Sequence, residues 1–371
     1  MKDIYSSYNK KSDTEIKHMW DNGLITFDAN VLLNLYRYSP GTRKEILKLV
    51  EKLAKKIFLT HQAGLEYSKN RFEVISEQEK THQEFLTNIC KIEDDLKSKS
   101  KHPFLPEKLQ SKLTQVFSEV KLDIEKSKSY YSNLIKNDDI HDNLERLFRD
   151  KIEEGFNENK IEEIYIEGKK RFEKKIPPGF EDEKDKEGHN MFGDLILWKQ
   201  IIQKAKKEKK SVLLVTDEKK KDWWWKLKNG KLLGPRYELM EEIRKEANVS
   251  FHIYSTERFI EFGLAYFKEE KNPKLLEEVK EIQEITNRPV VPFSELKIKA
   301  QFSLSEAIKK QRIKDELNTL NDKKERLLKE YRELYLSNQT PEITKRLDEL
   351  YKEIENIERE ITDKEFLNLN F

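Results

Sequence analysis

Four carboxylates stand apart from the rest by where they fall in the chain. Asp28 closes the apolar run Leu24-Ile25-Thr26-Phe27 and is followed by Asn30 and a second apolar run, Val31-Leu32-Leu33. Asp217 closes Val212-Leu213-Leu214-Val215-Thr216. Asp194 follows Gly193 and opens the apolar stretch of FGDLILW, and Glu66 lies in THQAGLEYSKNRF. With 70 acidic residues in the chain, a solvated charge is the default for any one of them. Asp28 resists that default, because a carboxylate flanked by buried stretches needs a cation or a cleft. Carboxylates gathered in one place raise one another's pKa unless a cation intervenes. A hard divalent ion such as Mg²⁺ or Mn²⁺ relieves the repulsion and takes oxygen ligands. Held in this way, the ion activates water and stabilises charge on a phosphodiester. No histidine cluster accompanies the acids, so zinc is not expected.

The elements that must position these residues read as alternating strands and helices. Residues 24–28, 57–60, 212–215 and the stretch VSFHIYST have the short apolar character of buried strands. Helical spacing lies between them, beginning with the capping box Thr42-Arg43-Lys44-Glu45. This order predicts an α/β fold with a mainly parallel central sheet, whose ligands bind at the carboxyl ends of the strands. Asp28 and Asp217 then face one cleft. Residues 75–173 are Lys/Glu-rich, broken at Pro103 and Pro106 and again at KNDDIHDN, and read as a helical insertion. KKIPPGFEDEKDKEGHNMFGD reads as a loop, and LLGPRYELMEEIRKEA as a helix.

The composition changes near residue 270, dividing the chain into 1–270, with the insertion, and a helical 271–371. In the second part Leu317, Leu320, Leu327, Tyr331 and Leu334 recur at heptad spacing, as do Ile343, Leu347, Leu350, Ile354, Ile357 and Ile361. Thr340 and Pro341 supply an N-cap and N1 between them. An antiparallel hairpin or a dimerising coiled coil is expected, offering these helices to a second copy or a partner protein.

Net charge is only +2, so any nucleic-acid surface must be local. The segment DWWWKLKNGKLLGPRYEL interleaves Trp223, Trp224 and Trp225 with Lys226, Lys228, Lys231 and Arg236, a mixture that can stack bases and hold phosphates. At least two of the tryptophans are expected in the core. Arg236, after Gly234-Pro235, is the stronger phosphate candidate, with Lys184 and Lys186 behind it. The lone Cys90 precludes an intramolecular disulfide and is expected as an inert core thiol. No window approaches the roughly 18 apolar residues of a membrane span, and MKDIYSSYNKK has no apolar leader core. A cytoplasmic protein with no membrane partner is the expectation.

FDANVLLNLYR resembles the opening motif of PIN-domain nucleases, and GDLILWKQII and VLLVTDEKKKDWW resemble that family's later acidic motifs. The segments around IPPGF and GPRYEL are closest to a large bacterial PIN-like subgroup. The resemblance spans roughly residues 20–265 and is loose over the insertion. It implies an α/β/α sandwich and metal-dependent phosphodiester cleavage, with RNA ahead of DNA, leaving 5′-phosphate and 3′-hydroxyl ends. On these motifs Asp28, Glu66, Asp194 and Asp217 match the acidic set. Thr216 matches a supporting hydroxyl, and Asn30 a polar residue that orients the first carboxylate. Roles in stress or phage defence come with such proteins by association. The competing readings are a flap- or single-strand-type DNA nuclease and a non-catalytic scaffold with a structural ion. A phosphatase of the haloacid dehalogenase type would need a second aspartate where Asn30 stands.

Overall fold

Strands made almost wholly of apolar residues must be covered on both faces, and the two central strands here are. The computed structural model describes residues 6–97, 106–182, 188–286, 316–336 and 340–369. Strands β1 (Leu24–Phe27), β2 (Ile57–Phe58), β3 (Val212–Val215) and β6 (Phe251–Tyr254) form one parallel sheet in the order β2-β1-β3-β6. All four residues of β1 and of β3 are buried. Phe27, Val215 and Tyr254 are register neighbours and share a face. On that face Phe27 meets Phe148 of α6 (Asp139–Phe148) and Phe259 of α10 (Thr256–Tyr266) edge-on. On the other face Phe251 packs against Trp198 of α8 (Gly193–Glu208) at 4.8 Å. The sheet is thus the middle layer of an α/β/α arrangement, as the strand–helix alternation predicts.

Helices α1 (Asp13–Asn22), α2 (Ala29–Asn34) and α3 (Pro40–Lys52) belong to the first half. α4 (His61–Lys97) carries Glu66 in its second turn and then runs on without a break into the insertion. Its 37 residues span roughly 55 Å. It pairs with α5 (Glu107–Leu134), which starts after Pro106. Lys121–Glu93 at 2.6 Å and Ser132–Glu79 at 2.6 Å fix the two antiparallel. Asp138 caps α6, and α7 (Glu158–Glu173) completes the insertion. Cys90 is exposed on α4, not in the core. Leu86, Ile89 and Glu93 form the buried stripe there, and position 90 falls outside it.

A second correction concerns the tryptophan-rich segment. Residues 232–235 are not the start of a helix. They form β5 (Leu232–Pro235), paired antiparallel with β4 (Trp224–Lys226) around Asn229-Gly230. Gly230 takes φ +86°, the left-handed value such a turn demands. α9 (Tyr237–Ala247) begins only after Arg236.

The chain divides into two compact units, Met1–Asn287 and Arg288–Phe371. The first therefore extends past the change in composition near 270. α11 (Pro273–Thr286) packs on α3 and α10, burying Leu275, Val279 and Gln283 along one stripe. In the second unit α12 (316–335) and α13 (Pro341–Leu369) lie antiparallel. The register is fixed by Glu316–Lys364 at 2.5 Å, Lys324–Glu358 at 2.7 Å and Glu330–Arg346 at 2.9 Å. Leu347, Leu350, Ile354, Ile357 and Ile361 are buried along α13. No helix among the described residues is long and apolar enough to cross a membrane.

Candidate functional site

Parallel pairing of β1 with β3 brings two chain segments side by side just past their carboxyl ends. The Asp28 amide donates to the Val215 carbonyl at 2.9 Å, extending the ladder by one residue. The chain then turns into α2, with Asp28 as its N-cap and its Oδ1 accepting from the Ala29 amide at 2.7 Å. The other oxygen, Oδ2, accepts from Asn30 Nδ2 at 2.8 Å and from the Thr216 hydroxyl at 2.7 Å. Asn30 Oδ1 in turn accepts from the Asp217 amide at 3.1 Å. Asn30 and Thr216 therefore hold Asp28 in one orientation and tie the two strand ends together. Burial, and after it the negative charge of Glu66, push the Asp28 carboxyl up to about 7. Glu218 adds to the push, while the Thr216 and Ala29 hydrogen bonds oppose it.

Glu66 is held by Gln62, whose Nε2 donates to Oε1 at 2.7 Å. The same oxygen lies against Gly193, where an added Cβ would sit 2.7 Å away. The absence of a side chain at 193 is what lets α4 and the start of α8 meet at this point. Asp194 Oδ2 accepts from the Trp223 indole at 3.1 Å. Gly193→Ala is expected to displace the Glu66 carboxylate, and a melting temperature within a few degrees of wild type would set this apart from unfolding.

A cation occupies the same region. Lys220 pairs with Asp182, which is buried, and with Glu218 at 3.0 Å. Burial pulls the Lys220 ammonium down, but Asp194, Glu218 and Asp182 outweigh it and hold the pKa well above the lysine range.

Asp217 is placed differently from the other acids. It is buried and accepts from Asn34 Nδ2 at 2.9 Å, the Thr256 hydroxyl at 2.9 Å, the Thr256 amide at 3.0 Å and Gln283 Nε2 at 2.6 Å. Burial raises its pKa against those hydrogen bonds. Both oxygens are thus committed to neighbouring elements. Glu218, which the sequence does not single out, acts on Asp28 through its charge, less strongly than Glu66. Past Thr216 the chain turns: the Glu218 amide donates to the Thr216 hydroxyl at 3.1 Å, and Glu218 Oε1 accepts from the Lys219 and Lys220 amides at 2.8 and 3.0 Å.

The remaining candidates fall as follows. Trp223 and Trp224 are buried at 1% and 8% exposure, and Trp225 is half-buried. Asp222 is fully buried and accepts from the Gly179 amide at 2.9 Å and the Glu181 amide at 3.3 Å, clamping the IPPGF loop. The Arg236 guanidinium is engaged by Glu238 through two nitrogens, with Nε–Oε2 at 2.9 Å, and would have to leave it to take a phosphate. Lys184 and Lys186 lie outside the described residues. Among the described residues no three His, Cys, Asp or Glu side chains stand close enough together to share one metal ion.

Residues 24–239 match the family described as PIN-like domain. No curated protein and no solved structure matches the chain.

Proposed function

The chain belongs to the PIN-like domain family, matched over more than half its length, and from that premise we propose that it is a metal-dependent endonuclease whose substrate is RNA. The observation that carries this reading is the Asp28 carboxylate past the end of β1, held by Asn30 and Thr216, with Glu66 and Glu218 near enough to act on it by charge. Asp28 is pushed up to about 7 by burial and by Glu66, a cost that a bound cation would remove. The donors are all oxygens, which fits Mg²⁺ or Mn²⁺ and not zinc. Asp28, Glu66, Asp194 and Glu218 are the proposed ligands, with Glu218 taking the place first expected of Asp217. Among the described residues no three of them stand within reach of one ion, so their side chains would have to draw together on it. When bound, the ion supplies a polarised water and offsets charge on the phosphodiester.

The chain's own residues do the rest. Asn30 and Thr216 fix the orientation of Asp28 by donating to Oδ2. Trp223 fixes that of Asp194 by donating to its Oδ2. Lys220, charged and beside Glu218, adds positive charge where negative charge builds up in phosphoryl transfer. The test is cleavage of end-labelled single-stranded RNA and DNA with Mg²⁺, Mn²⁺ or a chelator. Metal-dependent cutting of RNA is expected. Preferential cutting of DNA would move the substrate to the alternative reading, and no cutting of either would leave the scaffold reading.

The second unit is proposed as a self-association element. Tyr335, Leu336 and Tyr351 remain exposed at 63%, 85% and 61% on an otherwise packed hairpin. Such apolar surface suits a second copy. Deleting residues from 300 onward is expected to reduce the mass in light scattering to that of a monomer and to leave cleavage within about threefold. An unchanged oligomeric state would refute the self-association, and loss of cleavage by a folded truncation would refute the division of labour.

A further inference from the structure

Beside the acidic residues, and sharing the 216–219 loop with them, lies a cavity of about 650 Å³ that no step above uses. Its walls come from β6, α10, α11, the β4–β5 hairpin and the segment just before α1. That volume is in the range of sites that enclose a small organic group.

Three features say what kind of group. First, the hairpin side is aromatic. Trp225 stands edge-on to Tyr8 at 6.3 Å and to Tyr237 at 5.8 Å, and Tyr8 stacks on Tyr237 at 4.4 Å, leaving Tyr8 45% exposed. Second, Lys10 and Lys11 line the wall, and neither makes a hydrogen bond or an ion pair with the described residues. Lys11 is half-buried, and burial lowers its pKa against the pull of Glu15. Third, His252 of β6 lines the cavity with no hydrogen-bond partner for its ring among the described residues. Burial, and then the positive charge of Lys11 and Lys10, push it down to about 3. Asp13, Asp217, Glu218, Glu257 and Glu284 also border the cavity, as do Lys219, Arg258 and Lys280, so the lining carries both signs of charge. Lys11 and Lys10 are the cations that act on the histidine, whose pKa burial chiefly lowers.

Aromatic edges, a neutral imidazole and two unpaired ammonium groups are the complement of a base and its phosphate. A base can enter an enclosed cavity only when it is unpaired. We propose that this cavity holds one unpaired nucleotide of the strand being cut, its base beside Tyr8, Trp225 and His252 and its phosphate on Lys10 and Lys11. The acidic residues then act on a phosphodiester of the same strand, which makes the enzyme selective for single strands. This rests on the nuclease reading.

The experiment measures binding of a fluorescently labelled single-stranded 12-nucleotide RNA to the full chain by anisotropy, with chelator present so that nothing is cut. The double variant Lys10→Ala/Lys11→Ala is expected to weaken binding about tenfold and to reduce the salt slope by about 1.4, the counterion release of two phosphate contacts on a single strand. Trp225→Leu and Tyr8→Ala are each expected to weaken it about tenfold, as loss of a stacking partner does. Wild type should prefer this RNA over an abasic strand of the same length and over the RNA duplex. That preference should vanish in Trp225→Leu, which a merely destabilised protein would not show. Unchanged affinity and salt slope in all the variants would overturn the proposal. So would adenosine monophosphate binding to wild type with no effect on strand binding, which would make the cavity an effector site. Cleavage of the same RNA with Mg²⁺ is followed in parallel. If wild type cuts and the variants keep its KM, the pocket fails and the nuclease reading stands. If wild type neither binds nor cuts, both fail.

Discussion

Glu218→Gln is expected to reduce cleavage by about 10²-fold or more with no loss of thermal stability, and Asp217→Ala to do its damage to the fold. Residues that only support a metal ligand already cost 10- to about 100-fold when removed, and Glu218 is proposed as a ligand. The glutamine can keep accepting from the Lys219 and Lys220 amides, which Glu218 Oε1 takes at 2.8 and 3.0 Å. Lys220 also keeps Asp182. Removing the Asp217 carboxylate instead leaves the amide of Asn34, both donors of Thr256 and the amide of Gln283 without their acceptor. Orphaned buried donors cost on the order of 1–3 kcal/mol each before relaxation. A net loss of about 3 kcal/mol, or about 6–10 °C in melting temperature, is expected for a unit of this size. Melting curves and single-turnover rates on the two variants settle it. If Asp217→Ala melts like wild type but is inactive, while Glu218→Gln cuts normally, the roles assigned to these neighbours are reversed.

That pair also marks how far the sequence could be read. Asp28 was legible because apolar residues flank it on both sides, and because short strands alternating with helices put strand ends in a cleft. Asn30 and Thr216 followed from the resemblance; Asn30 donates to Asp28 as expected of a residue that orients it, and the Thr216 hydroxyl, expected only as a supporting group, donates to it as well. Glu218 was hidden because it opens the charged run EKKKD, which reads as solvated surface. Only the turn after Thr216, in which the Glu218 amide donates to the Thr216 hydroxyl, brings residue 218 near enough to act on Asp28 by charge. The β4–β5 hairpin was hidden because GPRYELM carries helix-forming residues. The Asn229-Gly230 turn was the competing signal, and it wins by pairing β4 with β5 across it. α11 was hidden by composition. Its charge resembles the region after it, but Leu275, Val279 and Gln283 recur every four residues, and that stripe docks it on the first unit and brings Gln283 to Asp217.

Asp28→Asn is expected to abolish cleavage and to change stability in a pH-dependent way. In the folded chain burial and Glu66 hold the Asp28 carboxyl at about 7, against an ordinary value of 3.8. A carboxyl raised in this way favours the folded state when protonated. Its contribution is fully present below the unfolded pKa and is lost as pH rises through the folded one. Without metal, wild type should therefore lose stability between about pH 4 and pH 7 relative to a variant that cannot ionise. Three pH units of displacement correspond to about 4 kcal/mol as an upper bound. The amide gives part of this back, because its NH₂ cannot accept from Asn30 and Thr216 as Oδ2 does, so an advantage of about 1–2 kcal/mol at pH 8 is expected. At pH 4.5, where the Asp28 carboxyl of the folded chain is protonated, the loss of those hydrogen bonds remains and the variant should be the less stable by up to about 2–3 kcal/mol. Adding Mn²⁺ at pH 8 should reverse the order there, because an ion bound only by the folded wild type stabilises it by mass action. Thermal melts from pH 4.5 to 8, with and without Mn²⁺, give both readings. A difference that does not change with pH would mean that Asp28 is not the strained charge. Equal stabilisation of both proteins by Mn²⁺ would place the ion away from Asp28 and remove the main support for the proposed chemistry.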